Sequence, residues 1–146
     1  MVSGFAAVYL AALLFLNTYL PIEHMEKTTP EVVFATEAEI DAFGAAVGIP
    51  RVIAYYDQYT ATIVLPNTFD PTNVYHQALF VHELVHHYQN TLFYREYQCH
   101  SQMELEAYEA QAAYLVSKKA EPYYRGEPSA PNPLMMMFLS TCPREP

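Results

Sequence analysis

The most informative pattern in the chain is Ala78-Leu-Phe-Val-His82-Glu83-Leu84-Val85-His86-His87-Tyr88-Gln89. The chain has no glycine or proline for 50 residues after Pro71, so we predict a long helix from about Pro71 to about Tyr94. On that helix His82 and His86 stand four residues apart, and their imidazoles project from one face about one turn apart.

This spacing indicates a metal site. Two imidazole nitrogens one turn apart can both reach one Zn²⁺ at ~2.0–2.1 Å. Glu83 is offset by ~100° around the helix, which keeps it out of the ligand shell but within reach of a metal-bound water. We therefore predict His82 and His86 as zinc ligands and Glu83 as the general base of a hydrolase. The alternative, an amphipathic helix with hydrogen-bonded core histidines, would leave an uncompensated carboxylate in the core.

An open catalytic zinc site needs a third protein ligand, and the following helix offers Glu104, Glu106 and Glu109. Ser101-Gln-Met-Glu104 has the pattern of a capping box, so we predict that this helix begins near Gln102 and that Glu104 belongs to its cap. Glu106 is therefore the predicted third ligand, a choice that rests partly on the resemblance described next.

The sequence resembles the gluzincin branch of zinc metallopeptidases. His82-Glu83-Leu84-Val85-His86 matches their H-E-x-x-H helix, and Glu106-Ala107-Tyr108-Glu109-Ala110 resembles their third-ligand helix. Leu84 to Gln89, taken with Cys99 and Glu106, also resembles a bacterial family of small, uncharacterised, exported zincin-like proteins. The resemblance implies a minimal zincin-like α+β domain that binds Zn²⁺ and acts on a peptide or protein substrate outside the cytoplasm.

The elements around the two helices are predicted from turn and capping signals. A hairpin is expected from two β-rich runs, and the resemblance implies that its second strand borders the cleft and pairs with an extended substrate. Residues 121–133 hold four prolines and are expected to be irregular, and the apolar piece after them is expected to cover part of the core. The predicted elements are a strand at Glu31–Ala35, a helix opened by Thr36-Glu-Ala-Glu39 and ended by Gly44 and Gly48, the hairpin strands Val52–Tyr56 and Thr60–Leu65, an N-cap at Asp70, a helix end near Lys118-Lys119, and the apolar piece Leu134–Leu139.

The first 22 residues carry no charged side chain, and their apolar run of ~20 residues is long enough to span a bilayer. Three interpretations remain: a cleaved signal peptide, an uncleaved anchor, and a first helix packed into the domain. We favour export or anchoring over a core helix, and so predict an extracytoplasmic protein with membrane association through residues 1–22. Residues 23–146 then form the zincin-like metal-binding domain.

Composition supports one globular domain and excludes one class of partner. Hydrophobic residues make up 52 % of the 146 residues, enough for a core. The formal charge is −9 and the seven Lys and Arg residues are scattered, so we expect no nucleic-acid partner. Cys99 and Cys142 are two buried thiols in a reducing compartment or a disulfide in an oxidising one, and predicted export favours the disulfide.

Several residues remain as candidates for supporting roles. Tyr123, Tyr124 and Arg125 follow the ligand helix and could stabilise an oxyanion. Gln89 lies seven residues after His82, on the same helix face, and either orients a ligand or ends an apolar stripe. Two other functions stay open: a metal-stabilised interaction protein without efficient turnover, and a helical membrane-associated protein that binds no metal.

Overall fold

Five helices and a three-stranded sheet make up the part of the chain that the computed structural model describes, residues 4–21, 28–49 and 51–143. The fold is therefore α+β, as the sequence predicts. In chain order the elements are α1 (Phe5–Tyr19), β1 (Glu31–Ala35), α2 (Glu37–Val47), β2 (Tyr55–Asp57), β3 (Thr62–Pro66), α3 (Val74–Leu92), α4 (His100–Ser117) and α5 (Pro133–Leu139).

The sheet has the order β1-β3-β2, which places β3 in the centre. β3 pairs in parallel with β1, with Glu31 opposite Thr62, and antiparallel with β2, with Tyr55 opposite Val64. The predicted hairpin is thus confirmed, but its second strand is not an edge. All five residues of β3 are buried, as expected for an apolar run covered on both sides, and β2 is the edge strand of the hairpin.

The start and end of α2 follow the predicted capping signals. The Thr36 side chain accepts a hydrogen bond from the backbone N–H of Glu39 at 3.2 Å. Gly48 ends the helix in the left-handed conformation with φ 73°. Gly44, which we expected to help end the helix, lies within it, and a Cβ there would meet the backbone oxygen of Ile49 at 2.8 Å.

The starts of α3 and α4 differ from the predicted ones. Asn73, not Asp70, caps α3, because its side chain accepts from the backbone N–H groups of the next turn. Asp70 instead accepts from the N–H and hydroxyl of Thr72 in a tight turn that precedes the helix. Cys99 is the N-cap of α4, so Ser101 lies inside the helix and forms no capping box.

Helix α1 forms part of the core. Its buried residues pack with those of the sheet, α3 and α4, and the Phe5 ring lies edge-on to Phe80 with centroids 5.0 Å apart. This arrangement corresponds to the first-helix interpretation of the apolar segment. No helix in the described part of the chain combines the length and apolar character needed to cross a bilayer. The predicted boundary at residue 22 lies outside the described residues.

A disulfide joins the start of α4 to the segment after α5. Cys99 and Cys142 form this bridge, with their Cα atoms 5.8 Å apart. α5 itself has no buried residue, and Phe138 is 72 % exposed, so the expectation that this piece covers the core is wrong. α5 has apolar side chains on every face, so some of them stay exposed whichever face packs against the domain.

The packing of α1 predicts that shortening a side chain lowers stability on its buried face and not on its exposed face. Leu16 is 0 % exposed and Leu14 is 60 % exposed. Leu16→Ala should lower the free energy of unfolding by about 2–5 kcal/mol, whereas Leu14→Ala should change it by about 0.5 kcal/mol or less. Urea denaturation of both variants measures this. Equal effects of the two substitutions would contradict the packing of α1 in the core.

The disulfide predicts a second effect on stability. It closes a loop of 43 residues, and loss of that constraint should lower the free energy of unfolding by about 4 kcal/mol. The comparison is wild type against Cys99→Ser/Cys142→Ser, each denatured with and without reductant. Reductant should destabilise the wild type and leave the double variant unchanged. A double variant as stable as the oxidised wild type would contradict the expectation.

Candidate metal centre

The candidate site lies where α3 and α4 pack side by side. His82 and His86 from α3 and Glu104 from α4 bring three polar atoms together. The two Nε2 atoms of the histidines are 3.2 Å apart. Glu104 Oε1 lies 2.6 Å from Nε2 of His86 and 3.4 Å from Nε2 of His82. The predicted pairing of the two histidines on one helix face is what the structure has.

The proton on His82 is placed by a hydrogen-bonded glutamine. Nδ1 of His82 lies 3.0 Å from Oε1 of Gln111, whose Nε2 donates to the backbone oxygen of Ser129 at 2.7 Å. A backbone oxygen can only accept, so the amide group of Gln111 must present its own oxygen to the histidine. Nδ1 of His82 is therefore the donor, and in the neutral ring Nε2 carries the lone pair.

His86 is held in the same way from the other end of the site. Its Nδ1 lies 2.8 Å from Oε1 of Gln89, and Nε2 of Gln89 donates to the backbone oxygen of Met103 at 3.0 Å. The amide orientation is again set by a backbone acceptor. Both neutral histidines thus direct an unprotonated Nε2 toward Glu104. The predicted orienting role of Gln89 agrees with these contacts.

Three acceptor atoms that face one another at these distances repel unless a cation lies among them. A proton can serve: burial alone would lower the pKa of His86, but the hydrogen bond and charge of Glu104 raise it to about 9. Burial by itself would raise the pKa of Glu104, but the same histidines lower it. A metal ion can serve too, because neighbouring ligands of tetrahedral Zn²⁺ lie about 3.3 Å apart and two of the three separations here are 3.2 and 3.4 Å.

The carboxylate that lies beside the two histidines belongs to Glu104, and not to Glu106, the third ligand predicted from the sequence. Residues two apart on a helix lie ~200° apart around its axis, so these two side chains leave α4 in different directions. Glu106 is 7 % exposed and its carboxylate pairs with Arg95 at 2.6 Å. Glu109 is exposed. Because α4 begins at His100, Glu104 is not needed for a cap and faces α3.

Glu83 is buried beside the candidate metal group, which consists of His82, His86 and Glu104. It is 5 % exposed, and burial raises the pKa of its carboxyl while the charges of His82 and His86 oppose that rise. The charge of Glu104 also raises it. These couplings agree with the predicted position of Glu83, next to the ligands on α3 but outside the group of three.

Edge strand β2 borders the same helix. The Tyr56 hydroxyl lies 3.0 Å from Nδ1 of His87, and Asn90 donates to that hydroxyl at 3.1 Å and to the backbone oxygen of Gln58 at 3.2 Å. On the surface of α3, His87 and Asn90 lie on the same side of His82 and His86 as Glu83 does. The sheet edge tied to this side of α3 is therefore β2, not the strand expected from the sequence.

Tyr108 is a site residue that the sequence reasoning missed. Its ring lies edge-on to His82 with centroids 4.5 Å apart. Burial raises the pKa of its hydroxyl to about 12, helped by the charges of Glu104 and Glu83. Tyr108 and Gln111 are four and seven residues after Glu104 and so share its helix face, a signal that becomes visible only once Glu104 is taken as the ligand.

The predicted oxyanion donors lie elsewhere. Tyr123 and Tyr124 are 40 % and 49 % exposed, and the ring of Tyr124 packs near Tyr75 with centroids 6.1 Å apart. Arg125 is also exposed. No contact within the described residues joins these three side chains to the histidines or to Glu104.

Comparison with known protein families matches residues 13–126 to the family described as Domain of unknown function (DUF6647). The chain belongs to this family. The match contains α3, α4 and every side chain of the metal group, so the candidate site lies within the DUF6647 domain. No curated protein and no solved structure matches the chain.

The geometry predicts that Glu104, and not its neighbours on α4, contributes to metal affinity. Glu104→Ala should weaken Zn²⁺ binding by more than the roughly 100-fold typical of losing an outer hydrogen-bond partner. Glu109→Ala, an exposed position on the same helix, is the matched control and should leave the affinity unchanged. Competition with a chromophoric chelator gives both values. Unaltered affinity in Glu104→Ala would remove Glu104 from the ligand set.

Proposed function

We propose that the protein is a zinc-dependent hydrolase, a small metallopeptidase, in which His82, His86 and Glu104 hold the metal. The observation that carries the proposal is the convergence of two Nε2 atoms and one carboxylate oxygen within 3.4 Å of one another. Each histidine is fixed from behind by a glutamine, an arrangement that ligand histidines commonly have.

The donor set supports zinc and an open coordination position. Two neutral imidazoles and one carboxylate are a known ligand set of catalytic zinc, which leaves a fourth corner for water or substrate. When bound, zinc lowers the pKa of a water at that corner to about 7 and polarises a substrate carbonyl. Proton transfer and stabilisation of the developing negative charge are the roles of nearby side chains.

Glu83 acts as the general base and then as the general acid. Its buried carboxylate takes a proton from the attacking water and passes it to the leaving amine as the scissile bond breaks. Burial raises the pKa of Glu83, which makes the carboxylate a better proton acceptor than an exposed one. The charges of the two histidine neighbours oppose that rise.

Tyr108 supplies a hydrogen-bond donor on the Glu104 side of the site. Its raised pKa, about 12, keeps the hydroxyl protonated at physiological pH. A phenol O–H next to the ligands can donate to the negative oxygen that develops on the substrate carbonyl. This role replaces the one expected of Tyr123, Tyr124 and Arg125.

An extended peptide can pair with the edge of the sheet. Within the described residues β2 pairs only with β3 and lies beside the Glu83 side of α3, so backbone pairing at its other edge would lay a substrate strand along the site. The disulfide supports action outside the cytoplasm, where such bridges persist. Peptide-bond hydrolysis in an extracytoplasmic setting is therefore the function that we propose.

Glu83→Gln tests the hydrolase directly. The variant should keep its zinc and cleave peptides about 10²- to 10⁴-fold more slowly, because it loses proton transfer but not a ligand. Cleavage of a mixed peptide library is followed by mass spectrometry, with zinc content measured on the same samples. Glu109→Gln is the control with the same change of charge. Peptide cleavage by Glu83→Gln at the wild-type rate would contradict the mechanism, and zinc-loaded wild type without cleavage would favour a non-catalytic metal-binding protein.

A further inference from the structure

The carboxylate of Glu106 is buried and hydrogen-bonded on several sides. It accepts from the hydroxyls of Tyr94 and Tyr97, the latter at 2.6 Å, and pairs with Arg95 at 2.6 Å. It also accepts from Nε2 of Gln89 at 3.1 Å. Glu106 therefore connects the segment between α3 and α4, which carries the tyrosines and the arginine, to a glutamine on α3.

That glutamine is the one that holds His86. Oε1 of Gln89 faces Nδ1 of His86 at 2.8 Å, while Nε2 of the same amide reaches Glu106. We propose that Glu106 is a positioning residue for the metal ligand His86 and acts on it through Gln89. The inference rests on the proposed function, because it concerns the same metal group.

The chemistry of the contacts explains why a carboxylate is useful at this point. The backbone oxygen of Met103 and the carboxylate of Glu106 both accept from Nε2 of Gln89, at 3.0 and 3.1 Å. A charged acceptor binds an amide N–H more strongly than a backbone oxygen does, so Glu106 adds to the force that keeps the Gln89 oxygen aimed at His86. A firmly held oxygen fixes the ring orientation of His86 and makes its Nε2 a better donor to a metal. At the other histidine, Gln111 is held by the backbone oxygen of Ser129. Within the described residues, Gln89 donates to a carboxylate and Gln111 does not, so the charged support is on the His86 side.

Two other roles for Glu106 make different predictions. If Glu106 were a direct ligand, its substitution would lower the Zn²⁺ affinity of the protein as strongly as substitution of Glu104 should. If Glu106 only stabilised the fold, its substitution would lower the free energy of unfolding. Zinc affinity would then stay unchanged, or the loss caused by substituting Glu106 would add to the loss caused by substituting Gln89. Action through Gln89 instead predicts that the effect of Glu106 disappears when Gln89 is absent.

The experiment is a double-mutant cycle read out as Zn²⁺ affinity of the full-length, oxidised protein. Glu106→Gln should weaken binding about 10- to 100-fold, and Glu109→Gln, with the same charge change one turn away, should not. Gln89→Leu should also weaken binding. Adding Glu106→Gln to Gln89→Leu should cause no further loss.

Additive losses in the cycle, unchanged affinity in Glu106→Gln, or a loss as large as that of Glu104→Gln would each overturn the proposal. If Glu106→Gln does not fold, Tyr97→Phe takes its place, because it removes one hydrogen bond and leaves the carboxylate. Tyr97→Phe should weaken zinc binding in the wild-type background and not in the Gln89→Leu background; unchanged affinity in the wild-type background overturns the proposal. Wild-type protein that binds no zinc would instead reject the proposed function itself.

Discussion

Three hydrogen-bond acceptors that meet at one point need a positive charge between them, and this requirement organises the centre of the molecule. The lone pairs of His82 and His86 and the carboxylate of Glu104 approach to 2.6–3.4 Å. Their backing groups, Gln111 and Gln89, are held by backbone oxygens and cannot turn to relieve the repulsion by donating. The packing of α3 on α4 therefore brings together three groups between which a proton or a metal ion can supply the charge, and the chemistry that we propose follows from a metal ion there.

The relative positions of the site residues on α3 could be predicted from the sequence, because they follow from the helical repeat alone. His82, Glu83 and His86 on α3 needed no knowledge of other elements. The carboxylate beside the histidines could not be predicted reliably, because the choice between Glu104 and Glu106 depends on where α4 begins. Ser101 and Glu104 mimic a capping box, yet Cys99 occupies the N-cap, where the disulfide anchors it. A shift of two residues in the helix start was enough to change which carboxylate is expected beside the histidines.

Long-range packing accounts for the other differences. The apolar run of β3 was recognised as a strand, but whether a strand is central or at the edge depends on pairing partners far away in sequence, here β1. The apolar helices α1 and α5 show the same limit. Hydropathy does not distinguish a helix that the core covers, as at Leu16, from one that stays on the surface, as at Phe138. Tyr108 was missed because its contact with His82 depends on how α4 packs against α3.

The most direct test of a cation among these three acceptors is anomalous diffraction at the zinc edge from crystals of zinc-loaded protein. We expect a single strong peak ~2.0–2.1 Å from Nε2 of His82, Nε2 of His86 and the carboxylate of Glu104, with the fourth coordination position of the zinc ion facing solvent. No peak at this point, a peak ligated by Glu106 instead of Glu104, or a fourth protein ligand closing the open corner would contradict this expectation.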